Sequence, residues 1–368
     1  MRSVGLSILL AGLLVFPAAA VTKVTGYPAG EQVEEELNRG LPHTEHGYHP
    51  VKSASWGESW YMLAVDSAGN QVWVLFSINN YHPFRKNAGT VDLFYYPMDG
   101  SPVKGHAEYD REKISAALDS VRIDLAGNVI AGAHPTYHIT AESEDLRLDL
   151  EYSAKCPDFL LGGNRLNFDS GDDHYWTVGV MAPLADVHGT VTVRGEPIAF
   201  HGLGYFDHAY ATIKIPAFSR WWYVFRVLQE DLAIGIMKID MRKDYSPGHA
   251  AVVHIVTGDR IVVNSGAIMV EPSGAIIENA SGVTYPDTYR VDYDDGTTSL
   301  TGTFKLQRLV EAFNVLDHLS AVVRTVIRAL YPEMWQLRFL GEADLTLSQG
   351  GAVRTVHGRC IGEVHCYL

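Results

Sequence analysis

Apolar and polar residues alternate with a period of two through much of this chain, and turn-forming clusters interrupt the alternation at short intervals. In an extended strand successive side chains point to opposite faces, so the pattern ties the chain to an antiparallel β fold. Leu146-Arg147-Leu148-Asp149-Leu150-Glu151-Tyr152 alternates most cleanly, and Val187 to Val193 ends at a Gly195 turn. Trp60 to Val65 and Val72 to Ile78 flank the turn cluster Asp66 to Asn70. Trp222 to Leu228 and Leu232 to Met241 flank Gln229-Glu230-Asp231 and read as a hairpin. Val252 to Val256 and Ile261 to Val263 flank Thr257 to Arg260 and read as another. Tyr289 to Tyr293, Trp335 to Leu340 and Ala343 to Leu347 continue the series. Many short strands with regular turns predict sandwiches or barrels.

Helical spacing is the exception. Glu31 to Asn38 and Asp110 to Leu118 are predicted as short peripheral helices. From Leu306 to Leu330, the residues Leu309, Phe313, Leu316, Leu319, Val323, Val326, Ile327 and Leu330 recur at helical spacing before Pro332. They predict one long amphipathic helix that covers a barrel mouth or packs against the other domain. Its few basic residues, Arg308, Arg324 and Arg328, speak against a membrane-surface role.

The 368 residues allow two domains. Pro216 breaks the strand pattern between Ile213 and Arg220, which places the boundary near residue 210 and gives domains of 21–210 and 211–368. A net charge of −14 argues against nucleic acid or an anionic membrane as the main partner, since both select basic patches. Arg2, the apolar run Val4 to Phe16 and Ala18-Ala19-Ala20 read as a cleavable export signal. The expectation is a secreted or periplasmic protein without stable membrane insertion. Cys360 and Cys366 either pair in an oxidising compartment or stay as buried thiols, and Cys156 stands alone. Asn279-Ala280-Ser281 is a glycosylation sequon, relevant only in a eukaryotic secretory pathway.

For chemistry, the chain lacks a G-x-S-x-G elbow, a P-loop and zinc-ligand spacing. His43, His46 and His49 read as a polar loop rather than a metal site, and Asp169 to Asp173 as a turn. Two constellations remain. His174-Tyr175-Trp176 puts a base and a π face on one side of a strand. Tyr205-Phe206-Asp207-His208 likewise puts Tyr205 and Asp207 on one side, followed by Trp221-Trp222-Tyr223. If the two strands are neighbours, one cavity holds His174, Trp176, Tyr205 and Asp207. An acid held against aromatic walls keeps its proton near neutral pH, so Asp207 is the candidate general acid. Tyr205 and Trp176 would then stabilise developing positive charge, and His174 would orient the acid or water. The competing reading makes Asp207 and His208 a buried polar latch between domains.

Gly202-Leu203-Gly204-Tyr205-Phe206-Asp207-His208 followed by Trp221-Trp222-Tyr223 resembles the hallmark of the carotenoid 1,2-hydratase superfamily. That superfamily also holds AttH-like proteins, kievitone hydratase and fungal Diels–Alderases. Glu58-Ser59-Trp60-Tyr61 resembles its early strand, and Gly358 to Glu363 its late one. The resemblance implies two lipocalin-like antiparallel β-barrels with a ligand cavity at or near their junction. It implies cofactor-independent chemistry, with no metal, on a hydrophobic isoprenoid- or polyketide-like molecule. The reaction would be acid-catalysed alkene hydration or cyclisation; a pericyclase relying on cavity shape, or a non-catalytic lipid carrier, are the alternatives. The family's catalytic groups carry over to His174, Trp176, Tyr205 and Asp207, with His208, Trp221, Trp222 and Tyr223 as substrate-binding residues. Ala209-Tyr210-Ala211 departs from the Asn and Gly that usually follow the His.

Overall fold

The computed structural model describes residues 21–27, 34–81, 85–169, 173–278, 282–314 and 334–367. Strands make up 72% and helices 5%, so the class is all-β, and the sheets form one nearly closed barrel and one half-barrel. The first sheet uses β1 (Thr22–Thr25), β2 (Gly57–Asp66), β3 (Gln71–Tyr81), β4 (Arg85–Tyr96), β5 (Val103–Tyr109), β6 (Ile114–Ala116), β7 (Val121–Leu125) and β8 (Asn128–Ala133). It continues with β9 (Thr136–Ser143), β10 (Leu146–Ala154), β11 (Phe159–Leu160), β12 (Leu166–Asp169), β13 (Asp173–Val193) and β14 (Glu196–Ala211). Its main path runs β5-β4-β3-β2-β14-β13-β10-β9-β8-β7-β6. The chain enters the second sheet at β15 (Ser219–Gln229), followed by β16 (Leu232–Met241). The short β17 (Tyr245–Ser246) pairs back with β1 and knits the second half of the chain to the first sheet. The rest are β18 (His249–Thr257), β19 (Arg260–Ser265), β20 (Met269–Glu278), β21 (Thr284–Asp294), β22 (Thr298–Asn314), β23 (Met334–Gln349) and β24 (Ala352–Tyr367). Their order is β19-β18-β16-β15-β24-β23-β22-β21-β20.

Alternation sorts the apolar residues into three layers. Trp60, Phe76, Leu148 and Phe206 fill the first sheet's interior. Phe225, Val253, Tyr289 and Val364 fill the second. Between the sheets lies a third layer with Leu63, Trp73, Trp176, Tyr205, Val224 and Ile361. Strands β14 and β15 therefore bury both faces. This is why Trp222 to Leu228 reads as an almost continuous apolar run, with each fully buried large side chain contributing roughly 1.5–3 kcal/mol.

The helical expectations fare less well. Leu306 to Asn314, the start of the predicted long helix, belongs to β22 and pairs with β23. Register shifts between Leu306 and Arg308 and between Leu309 and Glu311 insert extra residues. Such bulges stretch the period of two toward helical spacing, which explains the misreading. Residues 315–330 of that prediction lie outside the described residues. Asp110 to Leu118 forms a single 3-10 turn, Arg111–Lys113, and then β6. Of Glu31 to Asn38, the helix α1 covers Glu34–Leu37.

Cys360 and Cys366 are separate buried thiols, as is Cys156. Both lie in the continuous strand β24, opposite Gly341 and Trp335, so the possible pairing is corrected by geometry. Six residues of strand span about 20 Å, against the roughly 7 Å limit between bridged Cα atoms. Burial pushes both thiols up to about 12. We expect three thiols by mass under non-reducing conditions, labelled slowly in the native protein and completely after unfolding. A mass two protons lower would contradict this arrangement.

Candidate active site

Strand β14 carries two polar centres, one on each face. Its core-facing side holds His208, whose Nε2 lies 2.6 Å from Glu58 Oε1, both side chains fully buried. His49 Nδ1 lies 3.2 Å from the same oxygen, and the His49 backbone N–H donates to the Glu58 carboxylate. His208 Nδ1 lies 3.2 Å from the Glu45 carbonyl oxygen, and its ring stacks on Trp60 at 4.8 Å. Burial would raise the Glu58 carboxyl, but the hydrogen bonds from His208 and His49 outweigh it and hold the group below its usual value. His49, Glu58 and His208 offer ligand atoms all within 4.8 Å of one another, a spacing that could hold a metal ion. Two ligands on one tetrahedral zinc stand about 3.3 Å apart at bond lengths of about 2.05 Å. The 2.6 Å contact is a charge-assisted hydrogen bond that ties β14 to β2.

The opposite face of β14 points into the layer between the sheets. Tyr205 and Asp207 project there, together with Tyr61 from β2, Arg226 from β15 and Glu363 from β24. Arg226 Nη1 donates to Glu363 Oε1 at 2.5 Å, and the Tyr61 hydroxyl donates to the same oxygen at 3.0 Å. The other terminal nitrogen, Arg226 Nη2, stays 3.8 Å from Asp207 Oδ2, beyond hydrogen-bond reach. The guanidinium lies 4.3 Å over the Tyr205 ring and 5.2 Å over Tyr61. On the other face of β14, toward the first sheet's interior, Gly204 avoids a collision: a Cβ at that position would sit 2.5 Å from Val187 and 2.7 Å from Tyr152.

A second buried arginine completes the layer. Arg338 lies 4.3 Å over Trp73 and 4.2 Å over Phe94, donates to the Tyr96 hydroxyl at 2.7 Å, and lies 3.3 Å from Glu311. The Tyr96 hydroxyl and the half-exposed Lys104 also contact Glu311. Among the described residues of this layer, Arg226 is matched by Glu363 and Arg338 by Glu311. Asp207 shares Arg226 with Glu363 and meets it only at 3.8 Å. Burial accordingly pushes its carboxyl from 3.8 up to about 7, against the opposing pull of Arg226 and Tyr205. Burial, with Arg226 nearby, also pushes His254 down to about 3, so this imidazole beside Tyr205 is neutral.

Arg226 forms part of the wall of a cleft of about 420 Å³ at the junction of the sheets. Val65, Leu203, Leu228, Leu340 and Ile361 give the lining an apolar stripe, with Asp66, Ser67, Asp186, His201, Glu230 and Arg359 around it. Asp207 lies just past Arg226 and keeps 13% of its side chain accessible. The arrangement offers a cleft, a fixed guanidinium and a carboxyl that burial raises to about 7.

The predicted residues are only partly gathered. β13 and β14 are neighbours, but the register sets Val180 opposite Asp207 and Trp176 opposite Ala211. His174 therefore lies about 20 Å along the strand from Asp207's level, at about 3.4 Å per residue. It borders a separate hollow with Lys23, Asn167 and Asp173, so the single cavity expected to hold His174, Trp176, Tyr205 and Asp207 does not form. Trp176 meets Trp222 edge-on at 5.4 Å, in the same layer as Asp207 but farther from the cleft. Trp221 and Tyr223 stack on each other and face the second sheet's interior. The face of Tyr205 expected to stabilise a cation already carries Arg226. Arg226, Glu363 and Tyr61 were missed as partners of Asp207. Their signal was present: Trp222, Val224, Arg226, Leu228 and Ile361, Glu363, His365 are period-two apolar faces that each contain a charge.

The chain belongs to the family described as Domain of unknown function (DUF7064), whose model matches residues 42–304. No curated protein matches it in sequence. Among solved structures, the provisional AttH of Nitrosomonas europaea is 15% identical, with a TM-score of 0.59 over 94% of this chain and 100% of that one. CghA in complex with Sch210972 is 10% identical, with a TM-score of 0.60 over 95% of this chain and 99% of that one. Kievitone hydratase from Nectria haematococca is 13% identical, with a TM-score of 0.57 over 93% of this chain and 97% of that one. These similarities confirm the two-sheet fold expected from the family resemblance.

Proposed function

We propose that this DUF7064 protein is an enzyme that binds a hydrophobic small molecule in the inter-sheet cleft and protonates it from Asp207, in hydration of an alkene or a related cyclisation. The observation that carries the reading is the charge balance of the buried layer. Arg226 and Arg338 lie closest to Glu363 and Glu311, with the half-exposed Lys104 also on Glu311, and Asp207 keeps only a 3.8 Å approach to Arg226 next to the cleft wall. A general acid must hold its proton at working pH and reach the substrate; burial raises the Asp207 carboxyl to about 7, and Arg226, which faces it, lines the cleft. Similarity to a hydratase and to CghA, which holds Sch210972, is consistent with chemistry or binding at such a site.

The test is to identify the ligand that co-purifies with the protein and follow it during incubation at neutral pH. A gain of one water supports hydration, and an unchanged mass with altered chromatographic retention supports cyclisation. A ligand unchanged in both respects would turn the reading toward a carrier.

A further inference from the structure

Resting on the reading of this cleft, we infer that the ligand presents a neutral carbonyl oxygen to the gap between Arg226 Nη2 and Asp207 Oδ2, so that the ligand class is a conjugated carbonyl compound rather than a pure hydrocarbon. The gap measures 3.8 Å. That is too long for a direct hydrogen bond and suits one oxygen atom at about 2.8 Å from each side. Both flanking groups donate: the guanidinium always, the carboxyl while it is protonated. A carbonyl oxygen accepts from both.

The charge of the layer selects against two other classes. Arg226 already gives its close ion pair to Glu363, at 2.5 Å, so a ligand carboxylate would meet a neutralised cation and a second buried anion. A hydrocarbon cation would face a guanidinium seated over Tyr205 and Tyr61, where the favourable π faces are taken. A conjugated carbonyl instead develops negative charge on oxygen when water adds or a ring closes, and two donors stabilise it. Farther along the layer, Trp222 Nε1 and His365 Nδ1 are buried without a hydrogen-bond partner among the described residues.

The groups that face Asp207 are Tyr205 on its own strand, Tyr61 on β2, Arg226 on β15, His254 on β18, Arg338 on β23 and Glu363 on β24. Tyr61 and Tyr205 are pushed well above their ordinary value by burial, and His254 well below, so none of these titrates between about pH 5 and pH 9. Asp207 is therefore the group at the gap whose proton sets the pH dependence of a ligand held there; Asp66, Asp186, His201 and Glu230 line the cleft outside it.

The probes are β-ionone, a conjugated ketone, and megastigmatriene, the hydrocarbon of the same carbon skeleton. Binding to the full chain is followed by tryptophan quenching and by the ketone's ultraviolet band. β-Ionone should bind at least about tenfold tighter, as expected for a carbonyl with a charge-assisted hydrogen bond. Its band should move to longer wavelength on binding, and its affinity should fall about tenfold per pH unit above about pH 7. Asp207→Asn, whose amide still donates, should keep the affinity and lose the pH dependence; Arg226→Lys should lose the band shift. Equal affinity for the two probes with no band shift would overturn the carbonyl position and leave the cleft as an apolar binding site. Failure of both probes to bind would remove the cleft reading as well.

Discussion

Asp207→Asn is expected to lower turnover by roughly 10²–10⁴-fold while fold and ligand affinity stay near wild type, because the amide keeps the shape of the carboxyl and loses its acidic proton. The assay is conversion of the co-purified ligand, read by mass spectrometry. Rates within about threefold of wild type would remove Asp207 from the chemistry and favour a reaction governed by cavity shape. The wild-type rate should decline about tenfold per pH unit above about 7, where the carboxyl loses its proton. Stability offers an independent check. The native group is raised to about 7 from an ordinary value of 3.8, so its contribution is full below about pH 4 and is lost as pH rises through about 7. The Asn variant lacks this loss. Between about pH 5 and about pH 8 it should gain on wild type by up to about 3 kcal/mol, at about 1.4 kcal/mol per pH unit. Paired urea melts at the two pH values measure the difference, and parallel curves would mean that Asp207 is already ionised in the native state.

Much of the strand framework was legible because alternation is a local signal. Leu232 to Met241 was bounded correctly from its pattern alone, and the Gly-rich run before Asp207 lies in a strand, β14, as its residues suggested. Two kinds of information were not local. Bulges in β22 changed the apolar period, so a strand imitated a helix over Leu306 to Asn314. Strand register, which alternation within a single strand does not fix, decided which residues share a site. Tyr205 and Asp207 remained together because i and i+2 on one strand always do. His174 and Asp207 separated because β13 and β14 pair Val180, not His174, with the acid. His208, adjacent to Asp207 in the chain, faces the other way for the same period-two reason and ties β14 to Glu58. The latch and the acid are thus different residues on opposite faces of one strand.

Glu363 is the residue on which both the stability and the acidity of the inter-sheet layer turn, and Glu363→Gln tests both. Burial alone would raise this carboxyl, but Arg226, then His365 and Arg338, hold it well below its ordinary value of 4.5. Its stabilising contribution is therefore present above about pH 4.5 and is lost as pH falls below that value. Removing its charge leaves two buried guanidiniums with one matched carboxylate, Glu311. Breaking one member of a buried ion pair typically costs about 3–5 kcal/mol. The consequence for Asp207 has the opposite sense to the Asn substitution. With Glu363 neutral, Arg226 turns its full charge on Asp207, and the repulsion that Glu363 exerts on an ionised Asp207 disappears. Both changes favour the ionised acid. The alkaline limb of the rate profile should then move to lower pH, with activity at neutral pH falling while activity near pH 5 persists. A merely structural glutamate would lower stability and leave the limb near pH 7. Charge-neutralising both partners, as Arg226→Met with Glu363→Leu, should recover most of the stability and return the limb upward, since the acid then lacks the nearest cation that holds it ionised. A limb that stays in place in both variants would mean that Asp207 draws its proton affinity from burial alone, and that Arg226 and Glu363 serve only to join the sheets.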